Sequence, residues 1–287
     1  MKKILLPLII LSALSVSGCA IIDVILGTDR IQQPAVKIES VNVGAVSFES
    51  LELLFDINIE NPNRLAITLS SFDYELLLND KSFVKGDQPD GMKVGAEASN
   101  TVRIPVSLTF RDIIESVQDV AREDRSRYQF KSGFSFKLPV IGDVRVPVQR
   151  SGSIPVIKKP SLDIASFNIE NISFTGAEAV LKLRMNNPNF FSFELEQLQY
   201  NFSIDGINVL RGSADHSITI NRYGESTIDI PLSLNFVDFG QSIYRILRGE
   251  QDAQFEFTGS ALFDSSIDFF RNIPLDFEQS GKLPLVR

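Results

Sequence analysis

Residues 57–63 of this chain read INIENPN, and residues 183–189 read LRMNNPN. Each stretch alternates apolar and polar side chains, which predicts a β-strand with one buried face. Each also ends in the same trio, 126 positions apart: Asn61, Pro62 and Asn63, then Asn187, Pro188 and Asn189. Proline holds the preceding residue in extended conformations and asparagine favours turns, so the trio is predicted to end the strand and redirect the chain. The alternative is that the asparagine amides bind a ligand.

The sequence on both sides of these trios is also repeated. Residues 34–110 and 160–236, aligned without a gap, share 19 identities in 77 pairs, whereas chance pairing gives about five. The identities include a Ser-Phe pair, a tyrosine and a glycine in each copy: Ser47, Phe48, Tyr74 and Gly86, then Ser173, Phe174, Tyr200 and Gly212. Farther along the chain, SGSIP at 151–155 matches SGKLP at 280–284, an offset of 129. A period this long indicates two whole domains, 34–157 and 160–287, with a short joint at Lys158 and Lys159.

Each domain is predicted to be a β-sandwich with one short helix. Further alternating runs contain Pro105 and Pro231, and a proline inside a strand indicates a sheet edge or a bulge. After each run, apolar residues recur at helical spacing, and Asp112 and Asp238 stand three positions before a Glu or Gln, which predicts helix capping. The fold class is therefore mainly β, with two tandem immunoglobulin/fibronectin-like β-sandwiches that each carry one short α-helix.

Composition excludes several classes of function. The formal charge of −8 at pH 7 argues against nucleic acid binding, since phosphate contacts need an excess of Lys and Arg. The single histidine, His216, aligns with Asp90 of the first copy, and the acidic residues are scattered along the strands. These patterns predict no catalytic constellation and no metal site. We therefore expect a protein that is not an enzyme and that needs no cofactor.

The start of the chain is predicted to be a targeting segment. A basic start, MKK, precedes an apolar run too short to span a bilayer, which is typical of an export signal over residues 1–18. Residues 16–19 read VSGC and resemble the bacterial lipobox, in which the cysteine is acylated and becomes the first mature residue. Because Cys19 is the single cysteine of the chain, we predict that it carries acyl chains such as palmitate and begins a lipidated tether, residues 19–33. The alternative is a plain signal peptide with a chance cysteine.

The surroundings of Cys19 also predict a location. Ala20 stands where an inner-membrane retention signal has Asp, so by analogy with enteric bacteria we expect the outer membrane, with the protein facing the periplasm. Without Lys2 and Lys3 the mature chain has 26 basic against 36 acidic side chains and a charge of −10. Anionic lipid repels such a body, so the membrane is a partner through the acyl chains rather than through electrostatics.

The strand order around the repeated trios resembles a known family. A strand that ends in Asn-Pro-Asn, a hairpin, and then IPVSL at 104–108 or IPLSL at 230–234 resemble the late embryogenesis abundant group 2 family, also called WHy domains. The resemblance covers most of residues 34–287, in two copies. It implies a folded seven-stranded sandwich with a helix, and a role in tolerance of desiccation, cold or other stress through protection of other proteins from aggregation. It implies no catalytic residues.

Two functional hypotheses remain open at this stage. The first is a non-catalytic envelope lipoprotein that protects or binds unfolded or envelope proteins under stress. The alternative is a module that binds or carries lipid or another apolar ligand for an envelope complex. The 22 phenylalanines fit either hypothesis, because phenylalanine fills an apolar interior without needing a hydrogen-bond partner. A continuous apolar cavity of several hundred Å³ favours the carrier, whereas two filled cores favour protection or docking.

Overall fold

The structure is a computed structural model that describes residues 31–89, 91–116, 123–139, 141–214 and 217–286. The predicted signal peptide, Cys19 and His216 lie outside these residues. The first unit contains β1 (Ala35–Val46), β2 (Ser50–Asn61), β3 (Ile67–Leu78), β4 (Lys81–Gln88), β5 (Met92–Val94), β6 (Ala98–Thr109), α1 (Phe110–Ser116), β7 (Arg125–Leu138) and β8 (Gly142–Pro155). The second unit contains β9 (Ser161–Ile172), β10 (Gly176–Asn186), β11 (Phe193–Ile204), β12 (Ile207–Ala214), β13 (Ile218–Ile220), β14 (Glu225–Asn235), α2 (Phe236–Leu247), β15 (Gln254–Ser265), β16 (Ile273–Lys282) and β17 (Leu285–Val286).

Each unit is a sandwich of two sheets. In the first unit a sheet of order β1-β2-β6 faces a sheet of order β4-β3-β7-β8, to which β5 adds by pairing with β3. The second unit repeats this arrangement as β14-β10-β9-β17 and β12-β11-β15-β16, with β13 on β11. The prediction of two tandem, mainly β sandwiches is confirmed. Among the described residues, each unit has seven longer strands, and the additional ones, β5, β13 and β17, span only two or three residues.

Alternation along the strands builds the two cores. On β2 the apolar side of the alternation is almost wholly buried, and its members are Leu51, Leu53, Phe55, Ile57 and Ile59. The ring of Phe55 stacks on Phe130 of the facing sheet with centroids 3.9 Å apart, and Phe167 stacks on Phe202 in the second unit. Burying a side chain of this size contributes about 1.5–3 kcal/mol, so aromatic contacts between the sheets are a main source of stability in both units.

Cross-strand tyrosine–glycine pairs explain two of the repeated identities. Tyr74 is the register partner of Gly86, and Tyr200 is the partner of Gly212. In each pair the tyrosine ring lies over the glycine, and a Cβ built on Gly212 would stand 2.7 Å from the Tyr200 hydroxyl. Glycine is therefore required at these positions because the ring of the neighbouring strand fills the space of a side chain.

The helix caps differ from the sequence prediction. In α1 the hydroxyl of Thr109 accepts a hydrogen bond from the Asp112 N–H at 3.2 Å, and in α2 the Asn235 carboxamide accepts from the Val237 N–H at 3.0 Å. The prediction that Asp112 and Asp238 cap the helices is therefore wrong. Strands β6 and β14 run directly into the helices, so the last polar residue of each strand becomes the cap.

Helix α2 is interrupted at a glycine. Gly240 has φ of 79° and breaks the helix inside its bounds, a left-handed conformation that glycine adopts without a steric penalty.

Pro105 and Pro231 lie on β6 and β14, each of which pairs with a neighbour on one side only. The prediction of edge strands from these prolines is confirmed, because an edge strand does not need every N–H for the ladder.

Candidate functional site

The first asparagine of each repeated trio ties three backbone segments together. Asn61 is fully buried, and its Nδ2 donates to the carbonyl oxygens of Leu65 at 2.9 Å and Gly95 at 2.7 Å. Its Oδ1 accepts from the backbone N–H of Asn63 at 3.0 Å. Asn187 makes the equivalent contacts in the second unit, with Nδ2 donating to Phe191 at 2.7 Å and Oδ1 accepting from Asn189 at 2.9 Å.

The second asparagine of each trio clamps the chain that enters its unit. Asn63 accepts from the N–H of Gln32 at 2.7 Å and donates to the Gln32 carbonyl at 2.9 Å. Asn189 bonds Lys158 in the same way, with both distances at 2.7 Å. A side-chain amide that pairs with both groups of one residue imitates a strand neighbour, so Asn189 holds the segment between the two units at a defined position.

The polar groups of the trios are hydrogen-bonded within the protein. Both asparagine side chains of each trio are buried, and their amides are hydrogen-bonded to the backbone. These asparagines are Asn61, Asn63, Asn187 and Asn189. Pro62 and Pro188 lie between them, at the exit from β2 and β10. A buried amide with all its bonds made inside the protein is an anchor for loops rather than a group that is free to bind a ligand.

The junction of the two units is an aromatic socket. Phe48, in the β1–β2 turn of the first unit, is 5% exposed. Its ring meets three rings of the second unit edge-on, Phe193 and Phe263 with centroids at 5.5 Å and Phe270 at 5.0 Å. Such edge-on aromatic pairs each add about 0.5–1.5 kcal/mol beyond the burial of their surface. Phe48 is therefore a core residue of the second unit, although it belongs to the first.

A polar contact flanks the aromatic socket. The Tyr223 hydroxyl donates a hydrogen bond to the Asp124 carboxylate across the junction. That bond raises the pKa of the Tyr223 phenol above its usual value, since the carboxylate holds the proton. Both side chains are accessible to solvent, so this contact orients the units more than it stabilises them.

The second unit presents the residue equivalent to Phe48 to solvent. Phe174, in the β9–β10 turn, is 93% exposed, and Val237 of α2 beside it is 84% exposed. Together with Tyr244 and Arg245 these residues line a groove of about 450 Å³. We call the surface formed by Phe174 and Val237 the second-unit end face. Large apolar side chains exposed side by side typically mark an interaction site.

Other recesses on the described residues are open and mixed in character. A recess of about 1010 Å³ lies on the outer face of the β11–β15 sheet, and it is lined by Tyr200, Arg211, Glu278 and neighbouring polar groups. It differs from the enclosed apolar cavity that a carrier of acyl chains needs. Within the described part of the chain, no group of three His, Cys, Asp or Glu side chains is arranged to hold a metal ion. No helix there is long and apolar enough to cross a membrane.

Neither the junction nor the second-unit end face was predicted as a site from the sequence. Two signals for them were nevertheless present. The Ser-Phe pair recurs at 47–48 and 173–174, outside any strand alternation, where core packing gives no reason for a repeated phenylalanine. The repeat offset grows from 126 to 129, and two of the three added residues lie in a longer loop between β15 and β16. This loop supplies Phe270 to the socket.

Sequence comparison identifies a family that matches both units. The family model described as late embryogenesis abundant protein (LEA_2) matches residues 56–152 and 182–279. A desiccation-related protein of Arabidopsis thaliana is 24% identical over 133 residues, which cover 46% of this chain and 78% of that protein. A desiccation protectant protein, the Lea14 homolog of Glycine max, is 26% identical over 130 residues, which cover 45% of this chain and 84% of that protein.

Solved structures give similar partial matches. A solution structure from Arabidopsis thaliana is 21% identical, with a TM-score of 0.36 and coverage of 44% of this chain and 86% of that one. A crystal structure of a protein from Archaeoglobus fulgidus is 15% identical, with a TM-score of 0.34 and coverage of 42% and 94%. Each of these matches covers less than half of this chain, and most of the matched chain.

Proposed function

This chain belongs to the late embryogenesis abundant protein family, and from that membership we propose that it is a non-catalytic, lipid-anchored protein of the bacterial envelope that protects neighbouring proteins from aggregation during water stress. Relatives that each match less than half of this chain are named for desiccation, including a desiccation protectant protein of Glycine max. The family model matches both units. Protection by a folded, hydrated body needs no catalytic group, which agrees with asparagine trios that serve as loop anchors.

Attachment to the membrane is the second part of this proposal. Acyl chains on Cys19 hold the protein, because two or more chains give stable attachment where a single chain does not. Residues 20–33 then span up to about 45 Å when extended, which keeps the first unit close to the membrane surface. We place the anchor in the outer membrane, with both units in the periplasm, on the basis of Ala20.

The observation that carries the protective function is the distribution of charge between the units. The second unit, residues 160–287, has 17 acidic and 9 basic side chains, whereas residues 34–157 have 17 and 14. The more acidic unit is the one farther from the tether along the chain. A high net charge keeps proteins soluble and apart, and anionic lipid repels it, so the second unit extends from the membrane among the envelope proteins.

An aggregation assay tests this function. Residues 20–287, which contain every described strand and helix, are mixed with an envelope enzyme that aggregates on drying and rehydration, and light scattering is followed. We expect scattering to fall as the molar ratio of this protein rises, and serum albumin at equal mass serves as the control. Suppression no greater than that given by albumin contradicts the protective function.

A second measurement addresses attachment and ligand in the same material. Mass spectrometry of the full chain purified from bacterial membranes is expected to show an N-terminal peptide that begins at Cys19 and carries acyl mass. An unmodified peptide that begins elsewhere contradicts the anchor. Native mass spectrometry of residues 20–287 is expected to show no bound lipid, and a stoichiometric lipid mass would make the carrier hypothesis the better one.

A further inference from the structure

We propose that separate copies of this protein associate head to tail, with the second-unit end face of one copy seated on the exposed end of another copy's first unit. The junction inside each chain is the template for this contact. This inference does not rest on the protective function, since a monomer can protect and a polymer can fail to.

The first unit contributes Phe48 to the junction as the projecting side chain. The second unit carries the equivalent side chain, but nothing in this chain covers it. Phe48 and Phe174 are repeat equivalents, and they are 5% and 93% exposed. Ile157 and Val286 are equivalent at the later offset of 129, and here too the first is fully buried whereas the second is half exposed. Phe48, which the junction buries in the first unit, therefore has an uncovered equivalent in the second.

The receiving side shows the opposite pattern. In the second unit the socket ring Phe270 and its neighbour Phe191 are buried, and their centroids are 6.0 Å apart. The first-unit equivalents of the other two socket rings, Ile67 and Phe136, are buried within the first unit, so the difference lies at the positions of Phe191 and Phe270. In the first unit Leu65 stands at the position of Phe191, and Ile141 lies in the turn equivalent to the loop that carries Phe270. Leu65 is 56% exposed and Ile141 is 53% exposed. We call the surface formed by Leu65 and Ile141 the first-unit end face.

The two end faces account for most of the large apolar side chains that the described residues expose. Four of the seven form these faces: Leu65 and Ile141 on the first unit, then Phe174 and Val237 on the second. Monomeric proteins seldom concentrate exposed apolar groups without a partner. Because one face carries the projecting side of a known junction and the other carries its receiving side, a second copy of this chain is the partner that fits both.

The chain that enters each unit is clamped in the same way at both sites. At the junction Asn189 holds Lys158 while Phe48 occupies the socket beside it. In the first unit Asn63 holds Gln32 in the same way. A contact between two different faces does not close on itself, so it builds open chains of copies rather than dimers.

The association is expected to be weak and sensitive to salt. Inside the chain a short linker supplies an effective concentration of about 1 mM, which separate copies lack. Both units also carry net negative charge, so repulsion opposes the contact until salt screens it. Anchoring on a common membrane raises the local concentration of copies, and association is therefore favoured where the protein is attached.

Cysteine crosslinking in the full chain tests the contact. The chain offers only Cys19 as a native cysteine, so Leu65→Cys with Phe174→Cys introduces one defined pair. We expect a ladder of disulfide-linked copies from membranes under mild oxidation. The matched control pairs Leu65→Cys with Gln199→Cys, which lies exposed on the outer face of β11 and is expected to give no ladder. No ladder from the first pair, or equal ladders from both, overturns the proposal.

Sedimentation of residues 20–287 gives an independent test. We expect the mean mass of the wild-type protein to rise with concentration and with salt, and Phe174→Asp to weaken association by about 30-fold, as expected for loss of a central aromatic contact. A protein that stays monomeric at every concentration, or a variant that associates like wild type, overturns the proposal. A third outcome is that the wild-type protein is monomeric and suppresses aggregation, whereas Phe174→Asp does not suppress it. The second-unit end face then binds non-native protein, and the proposed self-association is wrong. If suppression persists without association, the protective function stands alone.

Discussion

Phe48 and Phe174 occupy the same position in the two units, yet Phe48 is 5% exposed in the junction and Phe174 is 93% exposed at the end of the second unit. One residue type in one turn thus serves as a core contact in the first copy and as a free apolar surface in the second. The difference arises because only Phe48 has a neighbouring socket, formed by rings such as Phe193 and Phe270.

Replacing these two phenylalanines separately gives a matched pair of variants. Phe48→Ala removes a ring from a packed site, and we expect it to lower the free energy of unfolding of the second unit by about 3–5 kcal/mol. Phe174→Ala is expected to change it by about 0.5 kcal/mol or less, because its ring contacts solvent. Urea unfolding followed by circular dichroism measures both, and equal effects of the two substitutions argue against the junction.

The asparagine trio gives a sharper prediction about stability. Asn187→Ala leaves buried carbonyl groups such as that of Phe191 without a donor, and each such group destabilises by about 1–3 kcal/mol. Asn187→Asp places carboxylate oxygens against those carbonyls and is expected to destabilise at least as much. Thermal unfolding reports the change, with Asn100→Ala as a control because Asn100 makes one long, exposed bond. If Asn187→Ala unfolds like wild type, the anchoring role is wrong.

The tyrosine–glycine pairs predict a steric effect on the core-facing side of the sheet. Gly212→Ala places a methyl group where the Tyr200 ring now lies, and we expect a loss of about 1–3 kcal/mol, as for other overpacked sites. Gly212→Ala in a Tyr200→Ser background is expected to have a smaller effect, because the ring is gone. Denaturant unfolding of the four proteins in this cycle measures the coupling, and additive effects contradict the close contact.

An ion pair on the first unit makes stability depend on pH. The Asp56 carboxylate accepts from Arg103 at 2.6 Å and from the Ser40 hydroxyl at 2.9 Å, and these bonds hold the pKa of Asp56 below its usual value, with Arg103 the largest cause. The folded pKa therefore lies below the unfolded value of about 3.9. The contribution to stability is present above the unfolded pKa and is lost as pH falls through the folded one.

Asp56→Asn tests this linkage directly. We expect the variant to melt below wild type at pH 7, and the difference to shrink as the pH is lowered below about 4. Asp80→Asn is the control, since the Asp80–Arg127 pair is exposed and its atoms are 3.9 Å apart. If the difference in melting temperature between Asp56→Asn and wild type is the same at pH 7 and below pH about 4, the ion pair is not its cause.

Sequence reasoning reached the fold because the fold is determined by local patterns that occur twice. Alternation such as that of residues 51–59 predicts a half-buried strand, and the duplication doubles every such signal. Both helix caps were placed three residues late, because the last polar residue of a strand, such as Asn235, gives no separate signal until the strand is known to end there. Whether a turn residue such as Phe48 is buried depends on a neighbouring domain, and periodicity carries no information on that.

The most direct test of the account is protection inside cells as a function of the anchor. Bacteria that express the full chain, the Cys19→Ser variant at matched level, or neither are dried and rehydrated, and the aggregated fraction of envelope proteins is quantified after sedimentation. We expect the full chain to reduce this fraction and Cys19→Ser to give little reduction, because the unanchored protein is not held at the membrane. An aggregated fraction that is the same in all three strains contradicts the account, and equal protection by both proteins removes the anchor from it.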